Sequence, residues 1–502
     1  MKLSENNIKL IFGLKLKQLR QDKGFSLSEL AKKSSLSTSY LNEIENGKKH
    51  PKSDKIASLA TALDVSYDKL VSLKLTKNLA PVSELLESNI LEQLPLDHYG
   101  IDVHKLLLQI SHAPLQLSAL VSTLIEMAKS LELSENNFSK TAIRTYKELN
   151  DNYFHDLEEA VNKFYRKIKF DYRPPVKYDV LLKLLTEEFN YIVKENSIPE
   201  LHEFRTIRGI NIPNGKKKKL LINSRLRNSQ KAFIIGKEIA YNYLNISDRT
   251  QIYSDMRLDS FDELLNNLRS SYFSTALIIG RQALIKDLEV FFKKKNFDDK
   301  FLLSLLPKYN VSAEMLFQRI TNLLSKYFNI NVFFFHRFNA ENNSDKFRLL
   351  KEIRLNTKEN PGGYQITEHY CRRWQAVNII KELADLQQKG KDFNTPIARV
   401  QKSEFINSGN EYLTISIAKV STLLENTNYS VTLGFLINDE LKQKIDFVDD
   451  PGIAKKMIND TCERCQLTDC KERIAEPKAY EKKIRFEKLG HALEEIIKKE
   501  SE

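Results

Sequence analysis

Ser26-Leu27-Ser28-Glu29-Leu30-Ala31-Lys32-Lys33-Ser34-Ser35-Leu36-Ser37-Thr38-Ser39-Tyr40-Leu41-Asn42-Glu43-Ile44-Glu45-Asn46-Gly47 decides how the first part of this chain folds. Ser26 followed three residues later by Glu29 is a capping-box pattern that opens a helix. Leu27, Leu30 and Ala31 give that helix its buried face. Ser34-Ser35-Leu36 reads as a turn, after which Ser37 caps another helix carrying Tyr40, Leu41 and Ile44. Asn46-Gly47 is a preferred helix stop. Outward from this stretch, a helix from about Ile8 to Lys23, with Ile11, Leu14 and Leu19 among its apolar positions, stops at Gly24. A further helix begins at Ser53 and places Ile56, Leu59, Ala60 and Leu63 on one face. A last turn around Tyr67–Val71 closes a small helical bundle.

Two short helices joined by a tight turn form a helix-turn-helix. Thr38, Ser39, Asn42 and Glu43, at the start of its second helix, then point at base edges in a major groove. Their hydroxyl and amide groups can pair with several bases, and the Glu43 carboxylate can accept from cytosine. Lys48 and Lys49 follow the helix and fall near phosphates, where they set register rather than sequence. Charge agrees: 78 Lys and Arg against 66 Asp and Glu give the 502-residue chain a net +12. Residues 1–78 hold fifteen of those cations and only eight of the anions. A compact basic module ahead of a nearly balanced body is the footprint of a nucleic-acid-binding head.

With Leu19-Arg20 before it and Lys48-Lys49-His50-Pro51 after it, the opening stretch resembles the Cro/cI-type (Xre) helix-turn-helix regulators. The resemblance implies that Arg20 of the first helix pairs with Glu45 of the third. It also shows one departure: Leu27 stands where many members have a phosphate-contacting Gln.

The rest of the chain is expected to be mainly α with α+β parts. Fifteen glycines and 13 prolines are few for 502 residues, which favours a helix-rich protein over a turn-dense all-β one. Residues 1–78 form the DNA-binding domain and 79–170 a helical linker or dimerisation region, with Leu107, Leu108, Ile110, Leu115, Leu120 and Leu124 at helical spacing. In 171–330, the strand-like Lys219–Asn223 precedes a helix through Gln230–Tyr241. That order resembles the ImmA/IrrE-type metallopeptidase domain, in which His-Glu-x-x-His on the helix and a later glutamate hold zinc. Here Lys237 and Tyr241 occupy the histidine positions, Arg269 aligns with the third ligand, and only Glu238 survives. The expectation is a degenerate domain without catalysis, Glu238 pairing with Lys237 or Arg269. Residues 331–477 are expected to form an α/β or α+β sensor domain, with strands at Val332–Phe335, Tyr412–Ile417 and Tyr429–Leu436 and a helix at Ala376–Gln388. Residues 478–502 form an amphipathic helix.

Three of the four cysteines lie within nine residues, Cys462, Cys465 and Cys470 in a C-x2-C-x4-C array; the fourth, Cys371, lies close to the single tryptophan, Trp374. Four thiolates brought together can hold zinc or an iron–sulfur cluster. The head, the degenerate peptidase helix, the segment Tyr146–Phe154 and the cysteine array with Arg473 and Pro477 together resemble the short-chain fatty-acyl (RamB/PrpR/ScfR-like) regulators. That resemblance implies DNA binding modulated by an acyl-coenzyme A, and favours an iron–sulfur cluster over zinc. Cations for the coenzyme's phosphates are sought in Lys216–Lys219 and at Lys217, Arg225, Arg227, Arg281, Arg372 and Arg373.

No apolar run reaches the ~18 residues of a membrane helix, the N-terminus lacks a secretory apolar core, and four cysteines exclude a disulfide scaffold. The expectation is a cytoplasmic regulator, a homodimer or higher homo-oligomer, that binds a double-stranded operator and a small effector. Two alternatives stand beside it: an iron–sulfur redox-sensing transcription factor, and a metallopeptidase that cleaves a repressor.

Overall fold

A computed structural model describes residues 5–72, 135–199, 206–213, 217–253, 261–342, 344–357, 368–390, 395–467 and 469–501, with isolated residues between them. The apolar positions proposed between 79 and 134 lie outside the described residues. The chain divides into two compact units, Met1–Ile143 with Leu258–Leu264, and Arg144–Arg257 with Leu265–Glu502.

The first unit is built from local signals. The helices are α1 (Glu5–Asp22), α2 (Leu27–Ser34), α3 (Thr38–Glu45), α4 (Ser53–Leu63) and α5 (Tyr67–Val71). Ser26 caps α2 through the amide of Glu29 at 3.2 Å, and the Glu29 carboxylate returns to the Ser26 amide at 2.7 Å. Ser35 ends α2 in the left-handed conformation and Ser37 caps α3. Phe12, Leu16, Leu30, Leu41, Ile44, Ile56, Leu59, Leu63 and Leu70 form the core. A Cβ on Gly13 would lie 2.2 Å from the Ile44 carbonyl, so glycine is what lets α1 approach α3 this closely.

The second unit mixes helices and strands. Helices α6 (Glu135–Leu149), which begins in the first unit, and α7 (His155–Lys167) lead to α8 (Tyr178–Glu187). A four-stranded sheet of order β1-β3-β2-β4 follows: β1 (Tyr191–Lys194), β2 (Gly209–Ile212), β3 (Lys218–Ile222) and β4 (Ile252–Tyr253), with α9 (Asn228–Tyr243) after β3. Then come α10 (Phe261–Ile278), α11 (Arg281–Phe292), α12 (Asp299–Tyr309) and α13 (Ala313–Phe328).

A six-stranded sheet of order β10-β7-β8-β9-β5-β6 completes the unit. Its strands are β5 (Phe333–Glu341), β6 (Arg348–Leu355), β7 (Ile397–Phe405), β8 (Glu411–Val420), β9 (Thr427–Leu436) and β10 (Lys455–Ile458). Only β10 against β7 is parallel, which makes this part α+β. Phe333, Phe335, Leu413, Ile415, Val431 and Leu433 belong to a core shared with Leu316 and Leu323 of α13, while Phe334, Phe338 and Tyr412 join Trp374 and Val377 in a second cluster. That second cluster is carried by α14 (Gln375–Gln388) and the residues before it. Gly434 is required on this face: a Cβ there would lie 2.2 Å from the Phe334 ring. The larger core runs without interruption from Phe154 to Ile453, across the boundary expected at 330/331. Two elements, α15 (Asp439–Lys444) and α16 (Lys478–Ser501), finish the chain.

Candidate functional site

The helix-turn-helix presents a polar row on a rigid support. Leu41, Ile44 and Glu45 of α3 are buried, while Thr38, Ser39 and Asn42 are exposed on the opposite side and Glu43 is half-buried. Arg20 Nε and Nη2 donate to the two Glu45 carboxylate oxygens at 2.6 and 2.8 Å, and Nη1 to the Phe25 carbonyl at 2.7 Å. This paired geometry holds the Arg20 guanidinium above its ordinary range despite the opposing cost of burial. The expected pair between first and third helices is therefore present, and it fixes the roll of α3 about its axis. Lys48 and Lys49 are exposed just beyond the helix, and Lys49 Nζ lies 2.8 Å from Glu43. Glu43 is thus already engaged by a cation, and Asn42 accepts from Asn46 at 3.0 Å. Lys52, which the sequence reading passed over, is exposed on the same basic loop.

In the second unit the helix that carries Lys237, Glu238 and Tyr241 is α9. Glu238 is fully buried and accepts from the Tyr253 hydroxyl, the Tyr191 hydroxyl at 2.9 Å and Arg249 Nη1 at 3.3 Å. Burial raises its pKa, against the pull of those donors. The expected pairing with Lys237 or Arg269 is corrected: the ion partner is Arg249, Lys237 donates to Asn267, and Arg269 lies 3.8 Å from Asp156. Burial lowers the Lys237 ammonium to about 7. Two phenols and a guanidinium thus take up the Glu238 carboxylate oxygens.

A chamber of ≈ 540 Å³ opens between α9, α12, α13 and the larger sheet. Phe233, Ile234, Leu303, Leu306, Val311 and Met315 supply its apolar wall, and the first turn of α9, Asn228 to Gln230, its polar end. Arg227 and Lys419 line that end. Burial and the nearby Arg227 both lower the Lys419 ammonium. Among the described residues neither cation has an anionic partner. Glu314 lies on the wall opposite in character: Arg337 at 2.6 Å and Lys351 at 3.2 Å outweigh its burial and hold it at about 2.

Among the candidate coenzyme cations, Lys217, Arg225, Arg227, Arg281 and Arg372 are not brought together at the chamber. Arg227 lines the chamber; Arg225 lies 3.8 Å from Glu425; Lys217 is exposed just before β3. Arg281 donates to Tyr153 at 2.9 Å, and Arg372 is buried against the carbonyls of Tyr370 and Asp345. The neighbouring Arg373 lines the cysteine cavity rather than the chamber.

The four cysteines do converge. An antiparallel bridge joins Tyr370 to Thr461, with the Cys371 amide donating to Asp460 at 3.1 Å and the Cys462 amide to His369 at 2.8 Å. Cys371, Cys462, Cys465 and Cys470 all line one cavity of ≈ 10 Å³. Arg473 holds the loop by donating to the carbonyls of Cys462 at 2.7 Å and Cys465 at 3.0 Å. Burial, with the neighbouring thiols adding, pushes Cys371 up to about 11. His369 turns away to Glu463 at 2.7 Å. Among the described residues no three His, Cys, Asp or Glu side chains are already set at metal-ligand spacing. The donor set is nonetheless four thiols lining a space about the size of one water.

Residues 16–70 match the family described as Helix-turn-helix, and this segment is a helix-turn-helix domain of the Xre type. The chain is similar to the HTH-type transcriptional regulator SinR of Bacillus licheniformis and to that of Bacillus subtilis (strain 168), each 40% identical over 65 residues. Those residues are 13% of this chain and 59% of either relative, so the likeness reaches little beyond the head. Among solved structures, a Mycobacterium tuberculosis transcriptional regulator is similar at a TM-score of 0.47 and 16% identity, covering 66% of this chain and 92% of that one. At that level the likeness carries no weight for function. No described helix is long and apolar enough to cross a membrane.

Proposed function

We propose that this protein is a cytoplasmic, sequence-specific DNA-binding transcriptional regulator and not an enzyme, acting as paired copies on a near-palindromic operator. The observation that carries this reading is the exposed row Thr38, Ser39 and Asn42 on a helix clamped by Arg20 and Glu45. Paired half-sites supply the affinity that one small head lacks. In the body, the chamber is the effector site. Two cations and a helix N-terminus at one end suit phosphate groups, and the apolar wall suits an acyl chain, so a short-chain acyl-CoA is the ligand class. Its binding shifts the operator equilibrium by whatever it gains in one conformation over the other.

Cys371, Cys462, Cys465 and Cys470 would hold a metal centre. When bound, iron–sulfur chemistry makes the regulator redox-sensitive, whereas zinc makes the loop structural. The small cavity favours the zinc reading; the family resemblance favours the cluster. Enclosure of Glu238 by Tyr191, Tyr253 and Arg249 weighs against the peptidase reading.

The test is fluorescence anisotropy on a selected operator at several salt concentrations. Ser39→Ala should change base preference by ~1–3 kcal/mol at one position, and Lys48→Ala should weaken every sequence alike and lower the salt slope by ~1. Equal loss on all sequences in both variants refutes the contact assignment. Anaerobic purification followed by metal analysis separates iron and sulfide from one zinc, and Cys465→Ser should lose whichever is bound.

A further inference from the structure

Helix α16 carries Phe486, Leu489, Leu493 and Ile496 at alternating spacings of three and four residues. They are 62, 54, 50 and 57% exposed, the largest run of exposed apolar side chains among the described residues. The spacing is that of a heptad seam. A helix of this kind draws most of its stability from packing its apolar face, and α16 has 24 residues, ~36 Å, of it. Gly490 lies beside the row, and nothing lies within 4 Å of the position its Cβ would take. Glycine weakens an exposed helix, and here it leaves room for a close neighbour.

We infer that α16 is the element through which two copies of this chain pair, and that the two helices run antiparallel. The proposal deepens the reading of a paired regulator given above by locating the contact. Direction follows from charge. Residues 478–488 contain five Lys or Arg and two Glu, while residues 489–502 contain two Lys and four Glu. Antiparallel pairing sets the basic half of one helix along the acidic half of the other; parallel pairing sets like against like. A two-fold axis at His491 then stacks Leu489 on the partner's Leu493 and Phe486 on the partner's Ile496, giving unbroken apolar layers. The polar flank carries both signs, as in Lys483 with Glu487 at 3.7 Å, rather than the uniformly basic face that suits an anionic bilayer.

The experiment is sedimentation velocity on the full chain, without DNA, at micromolar concentration. The parent should run at twice 58.3 kDa. The variant Leu489→Glu/Leu493→Glu, altered only on an exposed face, should dissociate at least ~100-fold more readily. Its affinity for a single operator half-site should not change. Lys482→Glu/Lys483→Glu/Lys488→Glu should weaken pairing, and adding Glu494→Lys/Glu495→Lys should restore it. A monomeric parent, or a Leu489/Leu493 variant that stays paired, overturns the proposal. So does a monomer that co-sediments with phosphatidylserine vesicles. Indifference to the charge reversal overturns the antiparallel arrangement. Loss of half-site binding by the parent head tests the regulator reading separately.

Discussion

Replacing Glu45 with Ala should loosen the reading helix without removing any group that touches DNA. In the native head Glu45 receives two charge-assisted bonds from Arg20, at 2.6 and 2.8 Å, and the two side chains are only 5 and 11% exposed. Cutting one partner leaves a guanidinium in a nearly dry site, which costs about 3 kcal/mol. A head of this size has a total stability of only about 3–10 kcal/mol. The open population of α3 should therefore rise about 100-fold. Hydrogen-exchange mass spectrometry on the full chain reads this directly in peptides from α1 and α3, with the body as internal control. Arg20→Met/Glu45→Leu should recover most of the protection, since the apolar pair leaves no charge stranded. Exchange in Glu45→Ala within twofold of the parent would refute the clamp. Loss of protection with unchanged operator affinity would show that α3 is not the reader.

The chamber offers two further checks. Arg227→Ala and Lys419→Ala should each weaken binding of a short-chain acyl-CoA by about 1.5–3 kcal/mol in calorimetry, and unaltered affinity in both would dismiss the phosphate end. Glu314 supplies a pH signature: its folded value of about 2 lies below the ordinary 4.5, so its contribution is complete above pH 4.5 and drains away as pH falls towards 2. The body should lose about 3 kcal/mol over that window, by denaturant unfolding, and Glu314→Gln should flatten the slope. A slope unchanged by the substitution counts against the Arg337 and Lys351 contacts.

The head was legible because its instructions are local. Ser26 and Glu29, Ser37, and Asn46-Gly47 each act within a few residues, and Arg20 with Glu45 only joins neighbouring helices. The body was legible in part. Buried strands such as β8 and β9 are rich in β-branched and aromatic residues, whereas β6 and β10, with Lys351, Glu352, Lys455 and Lys456, look like solvated loops until edge pairing is seen. Clustering of Cys462, Cys465 and Cys470 could be read directly; the arrival of Cys371 depends on a bridge between Tyr370 and Thr461, ninety-one residues apart. Of the chamber only Arg227 was picked out by the sequence, because the wall is gathered from helices and strands spread between 208 and 429. Arg372 was a reasonable ligand for phosphate by type; in the fold it is buried, with Nη1 and Nη2 donating to the carbonyls of Tyr370 and Asp345.

The unbroken apolar interior from Phe154 to Ile453 has a practical meaning for anyone dissecting this protein. A cut at 330, however sensible on paper, slices α13 away from the sheet it supports and leaves two greasy half-shells. Shortened versions should end outside that span, and a protease given the intact body should find no seam there to open.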